Sequence, residues 1–116
     1  MPIFARWRPL GSLPQRRGRD PAPGVYEIAD EGRRTIYVGQ SARDVPSRIR
    51  QHLAAGGCVA QHAAYWRMAE SRVPQAEEAE LLVRHLARNG ELPSCNEATP
   101  KTRDAQRRYR ERSRAD

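Results

Sequence analysis

Gly24-Val25-Tyr26-Glu27-Ile28-Ala29 and Arg34-Thr35-Ile36-Tyr37-Val38-Gly39, joined through Asp30-Glu31-Gly32, decide the fold of this chain. The first segment alternates apolar and polar side chains and is rich in β-formers, so it reads as a strand. Asp-Glu-Gly is a turn signal, and the second segment is another strand of the same character. The two form an antiparallel hairpin that Gly39 is expected to end.

Working outward from the hairpin, Asp44 is a suitable helix N-cap. Val45-Pro46-Ser47-Arg48 then opens a helix to about Ala55, with Pro46 tolerated in the first turn and Gly56-Gly57 stopping it. Ala64 to Ala69 reads as a short third strand. Pro74 opens a longer helix over Gln75 to Arg88. There Ala79, Leu82, Val83 and Leu86 recur at helical spacing and make one buried stripe, and Asn89-Gly90 caps the end. The expected fold class is therefore α/β (α+β), in the order β-β-α-β-α: a small three-stranded antiparallel sheet flanked by helices.

The 116 residues suffice for one compact domain. Residues 1–22 carry closely spaced prolines that no regular helix survives, and they read as an extended basic arm that packs through Phe4 and Trp7. Residues 23–100 form the domain. Residues 101–116 are a polar, basic tail with no apolar face. Charge is distributed along the same divisions. Of the net +7, residues 1–23 hold +4, residues 24–100 hold −1 and residues 101–116 hold +4. Basic arms around a near-neutral domain suit a phosphate backbone, because each phosphate contact releases counterions. An arginine-rich surface that serves solubility alone is the competing reading, and Lys101 is the only lysine in the chain. No run of eighteen apolar residues occurs, so no membrane span is expected, and the cytoplasm is the expected compartment. Cys58 and Cys95 are too few for a disulfide framework and are expected to be reduced thiols. Cys58, Cys95, His52, His62 and His85 lack the spacing of a zinc site.

Gly24-Val25-Tyr26 is followed eleven residues later by Tyr37-Val38-Gly39. The pair, set across a hairpin, resembles the signature of the GIY-YIG nucleases. Further elements follow in the order of that family. These are Arg48 on the first helix, His52 one turn later, a glutamate in Glu77-Glu78-Ala79-Glu80-Leu81-Leu82, and Asn96 after Pro93. The resemblance covers residues 23–96. It implies a metal-dependent endonuclease acting on DNA, with one Mg²⁺ or Mn²⁺. Tyr26 and Tyr37 would position or deprotonate a water, Arg48 would hold the scissile phosphate, and His52 would support a tyrosine or the leaving group. Glu78 would bind the metal with Glu80 as the reserve, since 100° of rotation per residue sends the two in different directions. Asn96 would brace the site. Gln40, where many members carry lysine, together with Arg43, Arg50, Arg107, Arg108 and Arg110, would contact the nucleic acid.

The chemistry agrees with the residue types. Phosphodiester hydrolysis needs a water nucleophile, cations on the phosphoryl oxygens and help for the leaving oxygen. A carboxylate suits a hard divalent ion, and an arginine fork suits phosphate. Taken singly, each residue has a plainer account: half-buried strand tyrosines, solvated helix arginines, an acidic first helical turn. A nucleic-acid-binding module without catalysis, and a protein-interaction domain with basic tails, are the alternatives.

Overall fold

The computed structural model describes residue 3 and residues 5–96. Its elements are β1 (Arg8–Pro9), a 3₁₀ turn (Leu10–Ser12), β2 (Gly24–Ala29), β3 (Thr35–Ser41), α1 (Val45–Ala55), α2 (Cys58–His62), β4 (Tyr65–Glu70) and α3 (Pro74–Asn89). The sheet is antiparallel throughout, in the order β1-β4-β2-β3. The α+β class and the expected element order hold, with two additions. The sheet has four strands and not three, because Arg8 and Pro9 pair with Trp66 and Tyr65. The proline density that marks residues 1–22 as irregular conceals this strand. A sheet margin is where proline is tolerated, since no ladder hydrogen bond is asked of its nitrogen there. The short helix α2, five residues after a double glycine, is the second addition.

Hairpin pairing sets which side chains share a face. Tyr26 lies opposite Gly39 and Ile28 opposite Tyr37, while Met68 and Trp66 complete the row on β4. That face, with Val45 and Ile49 of α1, Val59 of α2, Leu13 and Cys95, forms one core cluster. On the other face Val25 and Val38 pack with Leu81, Leu82 and Val83 of α3 and with Ile3. The sheet is thus sandwiched, with α1 and α2 on one side and α3 on the other. The register shifts between Ile28 and Ala29, which leaves Ile36 as an extra residue on β3. A bulge turns adjacent side chains to the same side, and Ile36 accordingly joins the cluster on the α1 side. β3 also continues through Gly39 to Ser41, two residues beyond its expected end.

Asp44 caps α1 as expected, accepting from the Ser47 amide at 3.1 Å. It does more than cap. Buried at 5 % exposure, it also accepts both guanidinium branches of Arg19 at 2.9 Å and the Ala22 amide at 2.9 Å. The carboxyl is held well below the usual range, chiefly by the Arg19 hydrogen bonds, with help from Ser47 and Ala22 and against the cost of burial. The arm is therefore clamped to the start of α1, and its Leu13 is a core residue. Trp7 lies under the Arg67 guanidinium, 4.0 Å from its ring centroid. Phe4, the other expected anchor, is outside the described residues.

The two cysteines are not free thiols: Cys58 and Cys95 form a disulfide. The bridge ties α2 to the segment after α3, and that segment lies along β3. The Cys95 amide donates to the Ile36 carbonyl at 2.7 Å. The Asn96 side chain accepts from the Val38 amide and donates to the Val38 carbonyl, both at 3.0 Å. Thirty-seven residues separate the cysteines, and no sequence spacing indicates that they meet.

Candidate active site

The hairpin register brings Tyr26 and Tyr37 together on the α1 face, as a diagonal cross-strand pair with ring centroids 6.1 Å apart. The close approach depends on Gly39. A Cβ there would lie 2.5 Å from both the Tyr26 hydroxyl and the ring carbon that carries it, and 2.8 Å from the Tyr37 ring. Gly39 thus gives the Tyr26 phenol its resting place, and no larger residue allows the pair.

α1 supplies the next two groups. Arg48 and His52 are four residues apart and share one helix face. The His52 ring lies 4.8 Å from Tyr37 and 6.4 Å from Tyr26, centroid to centroid. Its Nε2 is buried without a hydrogen-bond partner among the described residues. Burial, and then the Arg48 charge, lower its pKa below the ordinary histidine value. Both causes favour the neutral imidazole. Arg48 is exposed, engages Gln51 at 3.0 Å and hydrogen-bonds Tyr26.

Glu78, in the first two turns of α3, completes the group. At 8 % exposure it is one of two buried charged residues among the described residues. It approaches from the other side of the sheet, near enough for its charge to act on Tyr26. The phenol of Tyr26, completely buried, is pushed far above the ordinary tyrosine value. Burial is the largest cause, followed by Tyr37; Arg48 opposes the shift and Glu78 adds to it. Such a phenol keeps its proton at neutral pH. The reserve glutamate, Glu80, instead pairs with Arg84 at 3.3 Å on the outer side of α3.

The Asn96 amide makes one acceptor and one donor bond to the Val38 backbone, next to Tyr37, and so braces β3. Of the expected nucleic-acid contacts, Arg43 is exposed. Arg50 is turned inward, donating from Nη2 to the Leu13 carbonyl at 2.6 Å, and so holds the arm. Gln40 is half-buried, with its Oε1 lacking a partner among the described residues. Arg107, Arg108 and Arg110 lie outside the described residues.

Sequence reasoning missed the Asp44–Arg19 clamp, whose partners are 25 residues apart with nothing local to link them. It also missed the space requirement at Gly39, although the glycine itself is part of the quoted motif.

The donor set near Tyr26 is oxygen-rich and contains one carboxylate. No group of three or more His, Cys, Asp or Glu side chains able to hold a metal ion occurs among the described residues. That arrangement fits Mg²⁺ or Mn²⁺, which are held by one or two carboxylates, waters and substrate oxygens. It does not fit a zinc cage. No helix among the described residues is long and apolar enough to cross a membrane. No family model, curated protein or solved structure matches the chain.

Proposed function

We propose that the chain is a metal-dependent endonuclease that hydrolyses DNA phosphodiester bonds, as its resemblance to the GIY-YIG nucleases implies. The supporting observation is the meeting of Tyr26, Tyr37, Arg48, His52 and Glu78, drawn from β2, β3, α1 and α3. Four elements contribute one or two polar side chains each around Tyr26, among them an imidazole and a buried carboxylate. An ordinary core has no use for that assembly.

The roles follow from the surroundings of each group. Arg48, exposed and cationic, takes the scissile phosphate and counters the charge that grows on its oxygens. Tyr26, completely buried, keeps its proton and acts through its hydrogen bond with Arg48, whose guanidinium it positions. Tyr37, half-buried against His52, orients the water. Neutral His52, with Nε2 open, receives the proton released as the water attacks phosphorus. Glu78 would hold a single Mg²⁺ or Mn²⁺. Bound there, the ion supplies Lewis-acid polarisation of the phosphoryl group and stabilises the leaving oxygen. The assignment of the base to His52 departs from the tyrosine-centred expectation and rests on the place of its Nε2 beside Tyr37, without a partner among the described residues.

The test is incubation of the purified chain with labelled plasmid, single-stranded and branched DNA in Mg²⁺ and Mn²⁺. Cleavage that His52→Ala and Glu78→Gln both remove is the expected result. Intact substrates under all conditions would sink the proposal. Salt-sensitive binding without cleavage would instead favour the nucleic-acid-binding module, a reading supported by the absence of a lysine at Gln40 and by the inward-turned Arg50.

A further inference from the structure

A second concave surface lies toward the far end of α3. It is a groove of about 790 Å³ between the β2–β3 turn and the C-terminal half of α3, and it shares no residue with the tyrosine cluster. Arg88 is ten residues beyond Glu78, which at 1.5 Å per residue is about 15 Å along the helix axis. Arg33, Arg34, Arg67, Arg84 and Arg88 line it.

The carboxylates of Glu27, Asp30 and Glu91 share the groove with the five arginines, which leaves an excess of two positive charges. Arg67 is spent on Glu27 at 2.9 Å, with Trp7 beneath it. Asp30 is occupied in the turn, accepting from the Arg34 amide at 3.0 Å. Arg84 has an exposed partner in Glu80 and is free to exchange it. The side chains of Arg34 and Arg88 have no hydrogen-bond or ion-pair partner among the described residues. Arg33 holds a positive φ of 62°, a conformation that L residues other than Asn and Asp seldom adopt, with its guanidinium 5.3 Å from the Tyr65 ring. Arg88 suits the end of a helix, where the dipole favours cations. No such reason applies to Arg34 on a turn. Arg84 and Arg88 are one helical turn apart, and Arg33 and Arg34 face them from the turn. The forks thus come from two elements that line one groove. Several forks along one groove suit a polymer with repeated phosphates.

We infer that this groove is a second nucleic-acid site, which holds backbone phosphates of a segment other than the one being cut. The inference rests on the nuclease reading and adds a substrate class to it: DNA that presents backbone on two sides of the domain, as a junction does and a short straight duplex does not. The test uses the full chain and its Arg34→Ala/Arg88→Ala double variant, both positions being exposed and outside the tyrosine cluster. Binding of a labelled three-way DNA junction and of a 20-base-pair duplex is followed by anisotropy over a salt series, beside thermal melts and single-turnover cleavage at saturating junction. The expected result is a slope of log K against log salt shallower by about 1.8 on the junction, at 0.9 for each lost phosphate contact, with little change on the duplex. The melt and the saturated cleavage rate should be unaltered. An unchanged junction slope, or an equal change on both probes, overturns the inference. If the chain cuts nothing while the junction slope falls, the nuclease reading fails and the groove stands. If cleavage is normal while the slope is unchanged, the groove fails alone.

Discussion

Breaking the Cys58–Cys95 bond with a dithiol should weaken the fold by an amount that can be worked out in advance. The bond closes a loop of 37 residues. The chain-entropy relation, with 2.1 cal/mol/K plus 1.5R ln n, gives about 13 cal/mol/K for that loop, or about 4 kcal/mol at 25 °C. Set against a typical domain stability of about 5–15 kcal/mol, this is a large fraction. At 4–8 °C per kcal/mol it corresponds to a fall in Tm of roughly 15–30 °C. Cys58 is exposed and Cys95 is buried, so Cys58→Ala is the cleaner substitution and leaves the core face intact. Equilibrium urea unfolding of the oxidised chain, the reduced chain and Cys58→Ala should give one stability for the last two, about 4 kcal/mol below the first. Amide exchange supplies the local signature: the Cys95 amide should lose protection first, then Val38, which depends on Asn96. A reduced chain within 1 kcal/mol of the oxidised one, with Val38 still protected, would refute the reasoning. The segment would then be held by its hydrogen bonds and by the packing of Pro93 and Cys95 alone.

The remaining predictions concern the site and its supports. Glu78→Gln should abolish cleavage while DNA binding persists, because an amide is a poor ligand for a hard cation; normal cutting by that variant together with failure of Glu80→Gln would move the site by two residues. Arg48→Ala should lower the single-turnover rate at saturating DNA by about two orders of magnitude or more. Loss of affinity alone would place Arg48 in general backbone contact. Gly39→Ala should cost about 2–3 kcal/mol in urea unfolding, since its methyl meets Tyr26 at 2.5 Å and overpacking is of that order; an unchanged midpoint would show that the tyrosine has room to move. Asp44 gives a pH dependence. Its folded pKa is depressed, so its stabilisation is fully present above the unfolded carboxyl value of about 3.9 and is lost as pH falls through the folded value. Asp44→Ala should flatten the acid limb of a stability–pH curve measured from pH 7 to 2. At neutral pH the lost cap alone costs about 1 kcal/mol.

Much of this architecture could be read from local patterns. The hairpin was legible in the alternation of residues 24–29 and the turn at Asp30-Glu31-Gly32. α1 was legible in Asp44 and Pro46, and α3 in the stripe of Leu82, Val83 and Leu86 with Gly90 at its end. These signals are short-range, and short-range physics sets them. What escaped is what depends on residues distant in sequence. β1 is two residues long and becomes a strand only because Trp66 and Tyr65 are there to receive it. The cysteines meet because α2 and the segment after α3 both converge on β3. For the candidate site, the family resemblance pointed to Tyr26, Tyr37, Arg48, His52 and Glu78, while helix rotation said only that Glu78 and Glu80 face different ways. How deeply Tyr26 and His52 are buried was not legible, because position in a strand or helix alone does not fix depth.

Cys95 and Asn96, lying along β3, also govern how the molecule meets its own copies. β3 is the outermost strand of the sheet, and a bare outer strand offers unpaired amides and carbonyls to any other extended chain. Here the Ile36 carbonyl and both backbone groups of Val38 are already taken. A segment of two residues therefore does the work of a covering strand without itself becoming one. It passes no new ladder outward, because Asn96 engages through its side chain. The same bond that closes the loop thus guards against edge-to-edge growth. A chain that loses it would expose the strand carrying Tyr37 to self-association at concentrations where the oxidised form stays apart.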